Sequence, residues 1–344
     1  MDMAPRGKRG EIAKQLLLAS LGVLRGENPV RRIRKALRLL SRPPEPSAGD
    51  ARPSDRPVGG TRPSDRPVGD PGFRAVRLAP LTAALGPVCL FVAFVPDGRP
   101  WPHTLRYCAD LRRLGLTVIL IAVTDRPDLA CADPGPDVVD GLVVRENHGY
   151  DFAAWAATLR YLPELWAAPE LWFVNDSVYH ATSSLAPAVA RARGSTSDVV
   201  AMTESDEIAP HFQSYFFALR GHALASPQVR AFWADVQSLA DKNQIIRDYE
   251  VRQRAVLEAA GLDVEILFPQ DPERAGENQL HHGWRALLAQ GFPFVKVQLL
   301  RDNPYDADLA GWRAVLDQEG FEVPEIAFHL GSSVNGAAGL LELR

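Results

Sequence analysis

The fold is decided by two apolar runs, VCLFVAFV at residues 88–95 and TVILIAV at residues 117–123. A helical pattern at residues 103–114 separates them. Three later apolar stretches continue the alternation, at residues 142–144, 171–174 and 198–202. Strands that alternate with helices are typical of α/β domains. The sequence therefore predicts an α/β fold with a mixed, mainly parallel sheet that is flanked by helices.

The best-marked helix is predicted at residues 151–162. Its apolar residues recur at helical spacing and share one face: Phe152, Trp155, Ala156, Leu159 and Leu162. We expect this face to join the core.

The composition is that of a globular protein, with 46% hydrophobic and 23% charged residues. Three cysteines without a Cys-x-x-Cys pair argue against a disulfide framework and for a reducing compartment. No apolar run approaches the roughly 18 residues that a bilayer span needs. We therefore expect a cytoplasmic protein.

Basic residues are concentrated at the start of the chain. Residues 1–42 carry eleven Lys or Arg and three acids, although the whole chain has a net charge of -4. A leucine stripe beside this basic face would suit peripheral binding to an anionic membrane, at the inner face of the plasma membrane. Docking on an acidic partner, or a disordered basic tail, explains the same composition. Vesicle binding that weakens with salt would support the membrane hypothesis.

The remainder of the chain is acidic, so it repels phosphate backbones, and its sequence lacks the motifs of nucleic-acid-binding domains. We therefore exclude nucleic acid as a partner.

Four segments are predicted along the chain. They are a basic amphipathic helical segment at 1–41, a Pro-rich linker at 42–72, an α/β domain at 85–305 and a C-terminal extension at 306–344 that packs on it. The linker contains the repeat RPSDRPVG at residues 52–59 and again at 62–69. Its prolines favour an extended chain that cannot bury a core.

Two polar clusters directly follow predicted strands, which is where ligands bind in open α/β sheets. They consist of Arg145, Glu146, Asn147, Tyr150 and Asp151, and of Asn175, Asp176 and Ser177. A carboxylate at a strand end can hold Mg²⁺ or Mn²⁺ against a diphosphate, or bind a ribose. Asp176 is our candidate for this role, with Mg²⁺ or Mn²⁺ as the candidate cofactor.

Structural roles explain the same residues. Asp176 could form a turn of the type that Asx side chains favour. Asp151 could be an N-cap or a charge in the first helical turn. Arg145 and Glu146 could form a surface bridge.

A second group of candidates lies further along the chain. Glu204, His211 and Glu250, together with Asp151, are candidate catalytic acids or bases, and Gln213 and Tyr215 are candidates for binding an acceptor. Sugars need polar groups that match their hydroxyls and an aromatic face. His211 beside an apolar strand is also typical of a buried structural histidine.

Several motifs, taken in order, resemble the rhamnan synthesis protein F family over residues 87–305. They are Arg-Glu-Asn-x-Gly-Tyr-Asp-Phe at 145–152 with Trp155, Asn-Asp-Ser-Val-Tyr at 175–179, His-x-Gln-Ser-Tyr-Phe at 211–216, Phe-Trp at 232–233, Ile-x-x-Tyr-Glu at 246–250, Trp284, Gly-Phe-Pro-Phe-Val-Lys at 291–296 and Leu-Arg-Asp-Asn-Pro at 300–304. The chain departs from the family pattern at three places. His180 and Ala153 stand where the family usually has Gly, and Phe94 lies in an opening strand without the expected histidine.

The resemblance implies a glycosyltransferase with a GT-A-like nucleotide-sugar-binding domain. It would move a deoxyhexose, such as rhamnose, from a nucleotide-sugar donor to a cell-surface polysaccharide or a lipid-linked acceptor. The donor would be bound by the two polar clusters and by Arg301.

Arg301 follows the apolar segment at residues 292–296, which is predicted to be a buried strand. A guanidinium can bind phosphate oxygens in a bidentate way. The alternative for Arg301 is an ion pair with Asp302.

Two other classes of function are consistent with the residues. A non-catalytic glycan-binding or assembly protein would keep the fold without turnover. A carbohydrate hydrolase would need two carboxyl groups about 5–10 Å apart, a role that Asp151 and Asp176 could fill.

Overall fold

The computed structural model describes residues 72–78, 86–126, 128–274 and 276–332. All of them belong to one compact unit of the chain, Asp65–Arg344. The basic segment predicted at 1–41 and the linker predicted at 42–72, except for residue 72, lie outside the described residues. Within the described ranges, every helix is too short or too polar to cross a membrane.

Eleven strands are found in the described residues. They are β1 (Arg74–Leu78), β2 (Val88–Phe94), β3 (Thr117–Thr124), β4 (Gly141–Glu146), β5 (Glu170–Asn175), β6 (Val178–His180), β7 (Val199–Ser205), β8 (His211–Phe212), β9 (Phe216–Arg220), β10 (Val264–Phe268) and β11 (Phe294–Lys296).

Most strands join one mixed sheet in the order β1-β4-β3-β2-β5-β9-β7-β10, and β8 pairs with β7. β2, β3, β4, β5, β7 and β10 run in one direction, whereas β1, β8 and β9 run in the other. The central strands are buried on both faces, which is why they are continuous apolar runs in the sequence. The predicted mixed sheet is confirmed.

The helices connect these strands and cover the sheet. They are α1 (Pro102–Arg113), α2 (Tyr150–Tyr161), α3 (Thr182–Gly194), α4 (His222–Ala225), α5 (Pro227–Asp235), α6 (Lys242–Ile245), α7 (Arg252–Ala259), α8 (Gln279–His282), α9 (Trp284–Ala289), α10 (Val297–Asp302), α11 (Trp312–Gln318) and α12 (Val323–Ser332). A π-helical turn, Ile246–Val251, joins α6 to α7. Short 3-10 turns lie at Pro163–Ala167 and Pro272–Arg274.

Two apolar cores lie on opposite faces of the sheet. The apolar face of α2 packs in one of them, around Trp155 and Phe173. α1 and α3 pack in the other through Tyr107 and Leu185. Helices on both faces are the arrangement expected for a doubly covered α/β sheet.

A third apolar cluster holds the C-terminal helices. Trp312 of α11 and Leu330 of α12 pack with Tyr179 of β6 and Val295 of β11. β6 and β11 form a two-stranded antiparallel ribbon separate from the main sheet.

The order of the central strands places a crevice at one edge of the sheet. β3 and β4 lie on one side of β2, and β5 lies on the other side. The chain therefore leaves β2 and β5 in opposite directions, which opens a crevice at their carboxyl ends.

Candidate active site

The two polar clusters found in the sequence meet at this crevice. Asn175 is the last residue of β5, and Asp151 lies in the first turn of α2. Asn175 Nδ2 donates a hydrogen bond of 2.7 Å to Asp151 Oδ2. Asp151 is therefore both a first-turn charge, as its alternative assignment held, and a partner of the second cluster.

Asp176 bridges the ends of β2 and β5. Its Oδ2 accepts a hydrogen bond of 2.8 Å from the Phe94 backbone N–H, and its own N–H donates to Val92 O at 3.1 Å. The Asx turn belongs to Asn175 instead, since Asn175 Oδ1 accepts from the Ser177 backbone N–H at 3.1 Å. The carboxylate of Asp176 is thus fixed at the switch point of the sheet and is only half-buried.

Burial raises the pKa of both aspartates. The pKa of Asp176 rises to about 7, although the Phe94 N–H opposes the shift. The pKa of Asp151 rises to about 6, against the opposing effects of Lys296 and Asn175. Neighbouring acids raise both pKa values further. Asp151 raises the pKa of Asp176, and Glu250 raises the pKa of Asp151. Carboxyl groups shifted in this way are concentrated at functional sites.

Lys296, a half-buried residue, supplies a positive charge to the same cluster. The antiparallel register of β11 on β6 sets it opposite Val178. Its Nζ donates to Ser177 Oγ at 3.1 Å and lies 4.8 Å from the centre of the Tyr215 ring. Burial lowers the pKa of Lys296 to about 8, against the opposing effects of Glu250 and Asp151.

Ser177 connects the lysine to the aspartates. Its hydroxyl donates to Asn175 Oδ1 at 2.5 Å and accepts from Lys296. A continuous hydrogen-bonded path therefore runs from Lys296 through Ser177 and Asn175 to Asp151.

Glu250 approaches the cluster from the π-helical turn. Its Oε1 accepts hydrogen bonds of 2.9 Å from both the backbone N–H and the hydroxyl of Ser214. Single π-helical turns occur frequently at functional sites. This turn lies inside one helical stretch that runs from α6 to α7.

Tyr150 lies at the rim, with 46% of its surface exposed. Its backbone φ of 55° is unusual for an aromatic residue, and Gly149 before it has a φ of 78°. A side chain on Gly149 would approach the Ser238 Cα to 2.6 Å, so the loop passes too close for any larger residue. Tyr150 is therefore held in place beside Asp151 by a constrained backbone.

Arg145 stabilises this loop. The side chain is fully buried and donates to the His148 and Glu146 carbonyls and, at 2.6 Å, to Ser238 Oγ. These contacts give Arg145 a structural role in the loop, and its donor contact stays a prediction. Arg145 donates to the backbone carbonyl of Glu146 and not to its carboxylate. This contact therefore differs from the surface ion pair of Arg145 and Glu146 that the sequence also allowed.

The other members of the first cluster face their own neighbours. Asn147 Nδ2 donates to Asp125 Oδ1 at 2.9 Å. The carboxylate of Glu146 lies 3.9 Å from His148 Nε2.

Two of the predicted catalytic residues are bound by structural partners. Glu204 pairs with Arg254 at 3.2 Å and accepts from the Gln270 N–H at 3.4 Å. His211 is buried, and its Nδ1 lies 2.7 Å from the Ala209 carbonyl oxygen, as expected for the structural alternative. These contacts account for both residues without a ligand.

Both residues predicted to bind an acceptor, Gln213 and Tyr215, contact the hydroxyl of Thr203. Thr203 Oγ1 donates to Gln213 Oε1 at 2.8 Å and lies 2.8 Å from the Tyr215 hydroxyl. Tyr215 is buried, and its ring belongs to the cluster because Lys296 lies over it.

Arg301 interacts with two acids, Asp302 and Asp176. It pairs with Asp302 through two hydrogen bonds of 3.1 and 3.0 Å, as its alternative assignment held. Its positive charge also acts on Asp176 and lowers the pKa of that carboxyl group against the larger effect of burial. About 38% of its side chain is exposed, so it can still reach a ligand.

Protein ligands alone do not form a cation site here. Across the described ranges, no group of three or more His, Cys, Asp or Glu side chains has the arrangement of a metal site. At Asp176, any divalent cation would need further ligands from a substrate.

Lys296 belongs to this cluster, although Arg301 and not Lys296 is the cation that was chosen from the sequence. It ends the motif Gly-Phe-Pro-Phe-Val-Lys, directly after three buried residues, Pro293, Phe294 and Val295. A lysine at the end of a buried strand is the signal that could have identified it, since a buried ammonium needs partners.

One departure from the family pattern has a clear structural role. His180 Nε2 lies 2.8 Å from Asp110 Oδ2, and its ring stacks on Tyr107 at 4.4 Å. The histidine thus joins β6 to α1 through a buried hydrogen bond that glycine could not make.

Comparison with known proteins identifies relatives of the chain. The model of the family "Rhamnan synthesis protein F" matches residues 130–324, which is more than half of the 344 residues. "Virulence protein VirA" of Vibrio anguillarum is 26% identical over 256 residues, which cover 63% of this chain and 80% of VirA. "Uncharacterized protein y4gN" of Sinorhizobium fredii is 27% identical over 143 residues, which cover 40% of this chain and 37% of y4gN. Because the family match covers more than half of the chain, the chain belongs to the rhamnan synthesis protein F family.

Proposed function

We propose that the protein is a glycosyltransferase that moves a deoxyhexose, such as rhamnose, from a nucleotide-sugar donor to a polysaccharide or lipid-linked acceptor. Membership of a rhamnan synthesis family supports a role in polysaccharide synthesis. One observation carries the enzymatic part of the proposal. Two aspartates with pKa values raised to about 6 and about 7 lie with the half-buried Lys296 at the switch point of the sheet.

Asp176 is the proposed general base. A carboxylate with a pKa near 7 is well matched to accept a proton at neutral pH. In the reaction, the acceptor oxygen would bond to the anomeric carbon while the bond from that carbon to the diphosphate breaks. The acceptor proton would pass to Asp176. Asp151, through Asn175, would orient the loop that carries Asp176.

Lys296 is the proposed partner of the leaving group. An ammonium that is already held in place and partly shielded from solvent needs little reorganisation to stabilise charge that develops on the diphosphate. Its hydrogen bond to Ser177 fixes its direction. Arg301, half-exposed near Asp176, is the proposed second contact to the phosphates.

Mg²⁺ or Mn²⁺ remains a proposed cofactor. Mg²⁺ is commonly held by one or two carboxylates together with substrate phosphates. Asp176 could supply the carboxylate in place of its role as general base, and when bound the cation would offset negative charge on the donor.

The test is a donor screen followed by one substitution. Thermal shifts with a panel of nucleotide sugars, with and without divalent cation, should identify a donor, since a ligand at a hundredfold excess over Kd stabilises the fold by about 2.7 kcal/mol. With that donor, Asp176→Asn should lower kcat by a factor of about 10² or more while the fold is kept. Turnover near that of the wild type would overturn the assignment.

A glycan hydrolase is a second candidate, favoured by the same pair of aspartates. Hydrolases need one protonated and one ionised carboxyl group, and the two raised pKa values could provide them. Release of sugar from a polymer without any nucleotide would support this function. The half-buried lysine favours the transferase, because a neutral glycan has no anionic leaving group for it to stabilise.

A further inference from the structure

A cluster of aromatic and histidine side chains lies beside the proposed active site. Trp101 precedes α1, His103 lies in its first turn, and Phe328 and His329 belong to α12. The ring of His329 lies 4.8 Å from that of Trp101 and 4.4 Å from that of His103, centre to centre. Trp101 and Phe328 meet edge to face at 6.2 Å. We call these four residues the aromatic platform.

The platform is continuous with the aspartate site. His329 Nδ1 lies 2.7 Å from the hydroxyl of Tyr179, which follows Asp176 by three residues. Arg301 is electrostatically coupled to both places, since its charge lowers the pKa values of Asp176 and His329. A molecule on the platform would therefore extend toward Asp176.

The polar atoms of the platform are neutral. Burial lowers the pKa of His329 to about 4 and that of His103 to about 2, so both imidazoles are uncharged at neutral pH. His103 is almost fully buried, yet its Nδ1 has no hydrogen-bond partner among the described residues. A neutral imidazole nitrogen can pair with a hydroxyl group.

Phe328 is the most exposed of the large apolar residues in the described ranges, at 57%. The platform is nevertheless rigid, because Arg106 of α1 pairs with Glu322 at 3.3 Å and with Glu325 at 2.8 Å. An exposed apolar ring on a fixed surface beside neutral polar atoms has the character of a binding site.

We infer that the aromatic platform is the acceptor subsite, which binds a neutral hexose or deoxyhexose ring of the growing glycan and presents its hydroxyl to Asp176. The inference rests on the proposed transferase function. Aromatic faces match the C–H face of a sugar, and the neutral, half-exposed imidazole of His329 can match one of its hydroxyls. The donor is a poorer fit, because Arg106, the cation of α1 beside the platform, is already paired with Glu322 and Glu325. The four platform residues all lie outside residues 130–324, so the family match does not assign this site.

The test compares Phe328→Ala with Ile208→Ala in the full-length protein. Ile208 is a matched control, since it is also a large apolar residue and is 53% exposed. With a rhamnan oligosaccharide as acceptor, Phe328→Ala should lower kcat/KM about tenfold through a higher acceptor KM, while the Kd of the donor is unchanged. Ile208→Ala should change neither value. An unchanged acceptor KM in Phe328→Ala, or an equal loss of donor affinity, would overturn the inference.

A second measurement separates this inference from the proposed function. Saturation-transfer NMR can detect binding of the rhamnan oligosaccharide without any turnover. If no donor supports transfer but the oligosaccharide binds in a Phe328-dependent manner, the transferase proposal fails and the platform remains a glycan site. If the oligosaccharide does not bind even to the wild type with donor present, the platform has another role and the inference is wrong.

Discussion

Two places along the carboxyl edge of the sheet, which we call the β2–β5 edge and the β7 edge, carry acids at the ends of strands, and they differ in what surrounds those acids. At the β2–β5 edge, Asp151 and Asp176 are held by an amide and by a backbone N–H, and their pKa values are raised. At the β7 edge, Glu204 is paired with Arg254, which also pairs with Glu258. An acid that has its own arginine is already neutralised, whereas the aspartates are left to act on a ligand.

The largest expected effect follows from removing the lysine that distinguishes the first edge. Lys296→Met should lower kcat by a factor of about 10²–10³, because a preorganised charge at the leaving group is lost. Single-turnover kinetics with saturating donor would measure it.

Lys242→Met is the matched control for this change. Lys242 is exposed and also acts on the pKa of Asp151, but more weakly than Lys296 does. If both variants lose the same activity, general positive charge is sufficient and a specific role for Lys296 is contradicted.

Arg301 is intermediate between the two edges, since it has an acid partner and also acts on Asp176. If it binds the donor phosphates, Arg301→Lys should weaken donor affinity by about 1–3 kcal/mol, or roughly 5–150-fold, because the planar fork is lost. Isothermal titration with the donor would measure this. An unchanged Kd would mean that Arg301, like Arg254, has a structural role in an ion pair and does not bind the donor.

The pH dependence of activity should reveal the raised pKa values directly. Asp176 must be ionised to accept a proton, and Lys296 must be protonated to stabilise the leaving group. We therefore expect kcat to rise about tenfold per pH unit below about pH 7 and to decrease above about pH 8. A flat profile from pH 5.5 to 7 would contradict the role of Asp176.

The stability of the fold should depend on the same aspartates, but it should decrease with rising pH where the activity increases. The folded protein retains protons on Asp151 and Asp176 that the unfolded chain releases near pH 4. The stabilisation of the fold that these two protonated groups provide is complete below about pH 4 and is lost as the pH rises to about 7. The wild type should therefore lose more thermal stability between pH 5 and 7.5 than Asp176→Asn does.

The smallest effect is expected at the second edge. Glu204→Gln should change kcat less than twofold and should lower the free energy of unfolding by at most about 1 kcal/mol, the usual range for a partly exposed ion pair. Urea denaturation and the donor-consumption assay would measure both. A large loss of activity would mean that the acid at the β7 edge takes part in the reaction.

The sequence predicted the centre of the sheet better than its margins. β2, β3 and β5 are continuous apolar runs because both of their faces are buried. β1 is a short edge strand, and its sequence RAVRL lacks that pattern. β6 pairs with β11 across more than a hundred residues of chain, and local patterns do not indicate such long-range pairing.

The site was predicted in part for a similar reason. Strand ends pointed to Asn175 and Asp176 because that rule depends on topology alone. Whether an acid is paired depends on residues distant in the chain, as with Glu204 and Arg254, which are 50 positions apart. Local spacing therefore could not distinguish Glu204 from Asp151, nor choose Lys296 over Arg301.

The position of Glu250 depends on the number of residues in the π-helical turn at Ile246–Val251. A π-helical turn inside an α-helix corresponds to one residue more than the α-helix needs. Each residue of an α-helix rotates the next side chain by about 100°. Deleting one residue from the turn would rotate α6 relative to α7 by about that angle and would move the carboxylate away from Ser214. No substitution reproduces such a change, so an insertion, and not an exchange of side chains, would be the evolutionary step that brought this glutamate to Lys296.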